Sequence, residues 1–380
     1  MKVAVPRETV GGESRVAATP ETVKRLMALG AAVAVESEAG RASRILDADY
    51  AAAGATIAAD AGATYWEADV VLKVRRPSAD EIALIRPGAL VIATMDPYGN
   101  EAALAEMARA GLVAFAMELM PRITRAQVMD VLSSQANLAG YQAVIDAAAE
   151  YDRAIPMMMT AAGTVPAARV FVMGAGVAGL QAIATARRLG AVVSATDVRP
   201  AAKEQVESLG GKFVAVEDEE FRAAETAAGY AKPMSAEYQA KQAALVAEHI
   251  KKQDIVVTTA LIPGRPAPRL VSAAMLASMR PGSVVVDLAV ERGGNVEGSV
   301  AGSVVDVGDV RVVGHLNVAG RIPATASQLY AKNLVAFLET LIDKEAKALK
   351  VDFDDELVKA TVLTRDGAVV HPAFQPATQG

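Results

Sequence analysis

Residues 169–200 read RVFVMGAGVAGLQAIATARRLGAVVSATDVRP. Gly174, Gly176 and Gly179 follow an apolar run, Val170–Met173, and open a helical stretch, Leu180–Leu189. A second apolar run, Ala191–Ala195, leads to Asp197. These types in this order suit the grip of a dinucleotide. Gly174 permits a tight turn, Gly176 has no side chain to block a pyrophosphate, and Gly179 lets helix and strand pack closely. The helix start offers N–H groups to phosphate. Asp197 stands where a carboxylate meets the adenosine ribose hydroxyls. Its charge favours NAD over NADP, and Arg199 weakens that preference because it could accept a 2′-phosphate. A helix–strand packing turn with a capping or surface Asp is the alternative, and the four features together argue against it.

A second group lies just upstream. Gln127, Asp130, Ser133, Ser134 and Asn137 recur at three- and four-residue intervals, which predicts one helix face, with Val128, Val131, Leu132 and Leu138 on the apolar side. Arg122 follows Pro121. The face reads either as solvated surface or as a strip lining a cleft. In the second reading Arg meets a phosphate or carboxamide, while Gln, Asp and Ser fix a nicotinamide amide. Amides and hydroxyls without Lys or Glu suit binding better than solvent. Residues 223–242, with Tyr230 and Met234 expected to be exposed, read equally as a mobile connection or as a lid.

Other chemistry is sparse. His249, His315 and His371 are far apart and lack metal-ligand spacing. His249 is expected on a helix surface, His315 at a strand end, and His371 in a structural role. Asp287 and Glu291 lie at or beyond a strand's carboxyl end, and loop-holding is favoured over acid–base work. No base pairs convincingly with an Arg or Lys, as oxidation of a hydroxy or amino acid requires. Hydride exchange between two nicotinamides needs neither group, only two rings held in contact with water excluded.

The elements that must hold these residues alternate. Lys2–Pro6 predicts a strand; Thr19, Pro20 and Glu21 start a helix that stops at Gly30. Strands are expected at 31–36, Val70–Val74, Ala89–Thr94 and Val113–Ala116, then in RVFVM, AVVSATD, KFVAV, DIVVTTA, GSVVVDLA and VRVVGH. Leu329, Leu334, Leu338, Leu341 and Ile342 predict a helix from about Ala324 to Lys347. The expectation is α/β: two Rossmann-like doubly wound parallel-sheet domains, the first discontinuous. The first takes 1–135 and 325–380, and the second, holding NAD(H), takes 136–324. The 380 residues, 52% hydrophobic and 4% aromatic, suffice for two cores. A net charge of −6 argues against a nucleic-acid partner. The absence of cysteine excludes disulfides and thiolate metal sites and points to a reducing compartment. No signal peptide is read at MKVAVPRETV. The most membrane-like stretch, Ile155–Leu180, is interrupted by Pro156, Pro166, Arg169 and glycines, so a soluble chain is expected.

Over essentially its whole length the chain resembles the soluble NAD(H)-binding domain I of proton-translocating nicotinamide nucleotide transhydrogenases, in the form made as a separate alpha subunit. The stretches that carry the resemblance include AMELMPRITRAQVMDVLSSQANLAGYQAVIDAA, KEQVESLGGKF, ETAAGYAK, TTALIPGRPAP and PGSVVVDLAVERGGN, besides the glycine region. The resemblance implies a homodimer with NAD(H) in the second domain of each chain. It implies that Arg122, Gln127, Asp130 and Ser133 position the nicotinamide and that Tyr230 sits on a mobile loop. It assigns Asp197, Val198 and Arg199 to the adenosine ribose, and Val177, Gly229, Gln242 and Leu261 to nucleotide contacts. It further implies hydride exchange with NADP(H) on a partner domain III, proton coupling by a membrane domain II, and a cytoplasmic location peripheral to the inner membrane through partner subunits. No metal is implied.

Alanine dehydrogenase looks like the same fold, with Arg15 and Lys73 in similar segments. Its catalytic His is missing from the loop ATMDPYGN, where Asp96 stands. Its substrate lysine reads Arg75, and its catalytic Asp reads Glu291. These departures argue against amino-acid oxidation. ATMDPYGN itself is unusual for the transhydrogenase pattern. An alanine dehydrogenase-like enzyme and a non-catalytic NAD sensor are the rival readings.

Overall fold

The computed structural model describes residues 1–223 and 234–375. The chain divides into two units, Met1–Gln135 together with the segment from Ala319 onward, and Ala136–Val318. In the first unit the chain lays down β1 (Lys2–Val5), β2 (Ala32–Glu36), β3 (Thr56–Ala58), β4 (Val70–Arg75), β5 (Leu90–Thr94) and β6 (Val113–Ala116). In the second it forms a hairpin, β7 (Met158–Thr160) and β8 (Gly163–Val165). Then come β9 (Arg169–Met173), β10 (Val192–Thr196), β11 (Lys212–Phe213), β12 (Ile255–Thr258), β13 (Val284–Asp287), β14 (Ser303–Val307) and β15 (Val310–Gly314). Back in the first unit lie β16 (Ile342–Asp343), β17 (Ala348–Leu349), β18 (Val362–Arg365) and β19 (Ala368–Val369).

Both large sheets share one plan. The first has the order β19-β18-β6-β5-β4-β1-β2-β3, parallel from β6 to β3 and finished by the antiparallel β18 and β19. The second has the order β11-β10-β9-β12-β13-β15-β14, parallel except for β14. Each contains the 3-2-1-4-5-6 arrangement of a doubly wound nucleotide-binding fold. Successive residues of a strand face opposite sides. Accordingly Val3, Val5, Leu72 and Val74 enter one core of the first unit, and Ala4, Val71 and Val91 the other. In the second unit Val170 and Val172 enter one core, and Phe171 and Met173 the other. Burial of both sheet faces explains why these strands read as continuous apolar runs rather than alternating ones.

Five helices matter below. α1 (Pro20–Ala28) starts as its sequence requires: the Thr19 hydroxyl accepts from the Thr22 N–H, and Thr22 answers the Thr19 N–H at 2.8 Å. α2 (Val131–Glu150) spans the boundary between units. α3 (Val177–Arg188) follows the glycine turn, and α4 (Ala236–Ile250) starts inside the stretch expected to be loop. α5 (Pro323–Thr340) is shorter than its apolar spacing predicts. Leu341 caps it, and Ile342 pairs with Leu349 in a small hairpin, so both expected helix residues keep their burial outside the helix. β11 is likewise only the first two residues of KFVAV. Among the described residues no helix is long and apolar enough to cross a membrane.

Candidate functional site

In the second unit the glycine turn joins β9 to α3. Gly174 has φ of 106°, a left-handed backbone that only glycine adopts freely. Its N–H donates to the Thr196 carbonyl at 2.8 Å, which ties the turn to the end of β10. A Cβ on Gly179 would overlap the Gly174 carbonyl, so helix and turn touch backbone to backbone. Gly176 differs from both. It is exposed, its φ is an ordinary −75°, and a Cβ there would meet nothing within 4 Å. Nothing among the described residues therefore explains a glycine at 176; open space above it suits the close approach of an outside group. No side chain caps α3, which leaves its first N–H groups without intrahelical acceptors. Val177, at the helix start, is exposed. The residues fit a bound dinucleotide phosphate.

Asp197 sits just past β10 with its side chain only 7% accessible. Oδ2 accepts the Ala175 N–H at 2.7 Å, so the carboxylate braces the glycine turn. Arg199 clasps it from the other side, Nε on Oδ1 at 2.9 Å and Nη2 on Oδ2 at 3.0 Å. That partnership raises the guanidinium's pKa. Val198, between them, is exposed. Gln242 on α4 accepts from the Val216 N–H at 2.9 Å and donates to Thr196 Oγ1 at 3.0 Å, stapling the end of β10 to the segment after β11. Leu261 follows β12, is exposed, and borders a cavity of about 230 Å³ with Ala178, Thr259, Glu291, Arg292 and His315. Gly229 and Tyr230 lie outside the described residues.

Two supporting residues, Gly140 and Asn295, are not singled out in the sequence. A Cβ on Gly140 of α2 would overlap the Ala178 carbonyl, so α2 lies against the start of α3. Its small-residue neighbours Ala136 and Ala139 are the available hint. Fully buried Asn295 accepts the Ala260 N–H at 3.0 Å and donates to the Ala260 and Pro268 carbonyls, holding the loop that carries Leu261. Fully buried Asp287 accepts from the N–H groups of Ala289, Asn295 and Val296 at 2.9–3.1 Å, which is the loop-holding role. Glu291 accepts the Asn317 N–H. His249 is not a surface residue. Its ring lies edge-on to Phe171 and its Nε2 is 2.8 Å from Ser194 Oγ. His371 stands against Phe374, 5.1 Å between ring centres.

The polar strip belongs to the first unit, and it is two elements rather than one helix face. Thr124–Met129 is a 3-10 turn; Asp130 is extended (φ −74°, ψ 92°); α2 starts after it. Asp130 caps that helix, taking the Ser133 N–H at 2.9 Å and the Ser133 hydroxyl at 2.5 Å. A carboxylate three residues before a hydroxyl stops the preceding turn because it satisfies the new helix instead. Arg122 and Gln127 are exposed, and Asp130 and Ser133 half-buried. Val128 (64% exposed) and Leu132 (50%) do not form the expected apolar side; Ala126, Met129 and Val131 do.

Three cations of the first unit, Arg15, Arg75 and Lys73, are paired with internal carboxylates. Arg15, buried, donates from Nε and Nη2 to the Glu13 carboxylate at 2.7 Å and from Nη1 to Gln135 at 2.8 Å. Arg75 donates to the same Glu13 at 2.8 Å. Burial pushes the Glu13 carboxyl up, but Arg15's hydrogen bonds and charge, with Arg75's charge, outweigh it and hold the pKa at about 2. Lys73 is enclosed by Glu81 at 2.6 Å and Glu8 at 3.6 Å. Burial raises the Glu8 carboxyl against the pull of Lys73. The unusual loop ATMDPYGN is held from three sides. Glu118 accepts the N–H groups of Met95 and Asp96. Arg76 donates to the Met95 carbonyl and to Asn100 at 2.8 and 2.7 Å. The Tyr330 hydroxyl takes the Thr94 N–H at 3.0 Å. Asp96 needs a φ of +48° there, which a short polar residue tolerates. Among the described residues no group of acidic or His side chains could hold a metal.

Comparison with known proteins agrees with this plan. The profile for the alanine dehydrogenase/PNT N-terminal domain matches residues 4–139, and that for the C-terminal domain matches 143–372. The chain is 56% identical over 379 residues to the first part of NAD(P) transhydrogenase subunit alpha from Rhodospirillum rubrum, covering 98% of this chain and 99% of that one. A crystal structure of transhydrogenase from Sinorhizobium meliloti superposes with a TM-score of 0.90 at 68% identity, over 97% of this chain and 100% of that one. An L-alanine dehydrogenase superposes with a TM-score of 0.82 at 25% identity, over 98% of each chain. With two doubly wound sheets, the glycine turn and this identity across its length, the chain belongs to the NAD(P) transhydrogenase alpha-subunit family.

Proposed function

We propose that the chain is the NAD(H)-binding partner in hydride exchange with NADP(H) carried on a separate domain. The observation that carries this reading is the open backbone at Gly176, beside an uncapped helix start and backed by Asp197. When bound, NADH supplies a hydride from its C4 to the C4 of NADP+, with no proton exchanged with water. The chain's own residues bind and aim. Gly174, Gly176 and Gly179 let the pyrophosphate reach the N–H groups of α3. Asp197 receives the adenosine ribose hydroxyls, with Val198 and Arg199 beside it; Val177, Gly229, Gln242 and Leu261 frame the rest of the nucleotide. Arg122, Gln127, Asp130 and Ser133 orient the nicotinamide amide, and Tyr230 is assigned to the same task. No residue need take a proton. That agrees with Arg15, Arg75 and Lys73 being held by internal carboxylates rather than left for a substrate's.

The partners follow from the same reading: an NADP(H)-binding domain III, a membrane domain II that couples transfer to proton movement, and a second copy of this chain. The chain then works in the cytoplasm at the inner membrane. The β7–β8 arm supports the dimer, since Met157, Met158 and Met159 are 62%, 42% and 78% exposed, an unusual concentration of apolar surface. The test is rapid mixing of the NADH-loaded protein with an NADP+-loaded domain III, followed optically. A burst of NADPH that requires both proteins is expected. Intact NADH binding with no burst would overturn the reading.

A further inference from the structure

Resting on the function proposed above, we infer that Asn333, from the far end of the chain, is a positioning residue that sets the shape of the Gln127–Ser133 strip. Asn333 lies on α5, 7% exposed, among Leu334, Val335, Phe337 and Leu338, which are fully buried. An amide in such surroundings is costly unless both its ends are bonded. Both are. Nδ2 donates to the Val128 carbonyl at 2.8 Å, and Oδ1 accepts from the Ser134 hydroxyl at 2.8 Å.

These two partners lie on opposite sides of the break at Asp130. Val128 belongs to the 3-10 turn that carries Gln127, and Ser134 to the first turn of α2, which carries Ser133. The carbonyls at the end of a helical turn have no partner within it. Asn333 supplies one, and with its other end fixes the first turn of α2. The distance between Gln127 and Ser133 is therefore set by one buried amide as well as by the Asp130 cap. The clamp continues inward. Gln135 donates to the Ser134 hydroxyl and to the Ala326 carbonyl, each at 3.2 Å, and accepts from Arg15 at 2.8 Å. Apolar anchoring is separate, through Ala126, Met129 and Val131, which are 1%, 4% and 2% exposed. Removing the amide should thus loosen the strip's geometry and leave its attachment to the core. A site that must hold a ring at contact distance loses about 10- to 100-fold in rate for an error near 1 Å.

The test uses the full chain with Asn333→Leu, which keeps side-chain volume in an apolar core, and Asn333→Asp, which keeps the acceptor for Ser134 but turns an oxygen on the Val128 carbonyl. Four readouts are compared with wild type: melting temperature, NADH dissociation constant, the burst rate with domain III, and tryptic cleavage after Arg122 and Arg125, assigned by mass spectrometry. The expected result for both variants is at least about a tenfold slower burst and faster cleavage at those two bonds, with an NADH dissociation constant within about threefold. For Asn333→Leu the melting temperature should hold as well. A merely structural role would instead lower the melting temperature and spread cleavage over the whole chain, and that would overturn the inference. Unchanged cleavage, or a wild-type burst rate in both variants, would also overturn it. If wild type gave no burst, the proposed function would fail, while cleavage at Arg122 and Arg125 would still decide whether Asn333 holds the strip.

Discussion

Alanine at Gly176 and alanine at Gly179 should have opposite effects, though the positions are three residues apart on one turn. At Gly176 a Cβ meets nothing within 4 Å and φ is −75°. Alanine is a poorer N-cap than glycine by about 0.5–1 kcal/mol. Stiffening the unfolded chain returns about 0.4–1 kcal/mol. The two offset, and the melting temperature should move by no more than about 2 °C. If a pyrophosphate lies against that backbone, the new methyl occupies its place, and NADH affinity should fall at least about tenfold, or 1.4 kcal/mol. At Gly179 the Cβ overlaps the Gly174 oxygen and comes within 2.8 Å of its carbonyl carbon, where about 3.5 Å is comfortable. The backbone must open. Overpacking of this kind costs about 1–3 kcal/mol, a drop in melting temperature of roughly 3–10 °C. Calorimetric melting and titration with NADH read both variants. Gly176→Ala protein that binds NADH like wild type would refute the approach of a phosphate there. An unchanged melting temperature in Gly179→Ala would refute the close packing.

Asp197→Asn keeps an acceptor for Ala175 but releases Arg199 from its clasp; NADH should bind roughly tenfold more weakly and NADPH more tightly, so unchanged NADPH affinity in titrations would count against Arg199 as a latent phosphate partner. Glu13, held at about 2 against an ordinary 4.5, stabilises the fold above about pH 4.5, and that contribution, on the order of 3 kcal/mol, is lost as pH falls toward 2. The stability difference between wild type and Glu13→Gln, from urea unfolding, should therefore shrink steadily below pH 4.5; a constant difference would contradict the ion-pair assignment. Met159→Asp on the exposed hairpin should shift light-scattering mass from dimer to monomer without lowering NADH affinity, and a dimer that persists would remove the arm from the interface.

The fold is legible where chemistry is local. Thr19-Pro20-Glu21 announces α1 through its own cap, and strands buried on both faces read as apolar runs. The strand–glycine–helix order around Gly174 is legible for the same reason, since each part is contiguous. Asp130 shows the limit. Its three-residue spacing to Ser133 fits a shared helix face and a helix cap equally, and only the backbone decides for the cap. The end of α5 fails similarly, because Leu341 and Ile342 are buried whether the chain coils or turns into β16. Gly140, Asn295 and Asn333 have no local signal. Their partners, Ala178, Ala260 and Val128, arrive from elsewhere in the chain, and a burden of that kind is visible only after folding.

The interrupted first unit has a consequence for synthesis. Its opening sheet emerges from the ribosome without β18, its antiparallel edge, or α5, whose Tyr330, Leu334 and Phe337 complete its core. About 200 residues must follow Gln135 before α5 is made, a delay of roughly 10–40 s at typical elongation rates. Throughout that interval β6 is an unpaired edge, the kind of surface that recruits chaperones or aggregates. The second unit, continuous in sequence, has no such wait. Nascent chains arrested with Val318 just outside the ribosome should therefore show a protease-resistant second unit trailing a protease-sensitive N-terminal segment, and the last-made helix is what releases the first-made strands from custody.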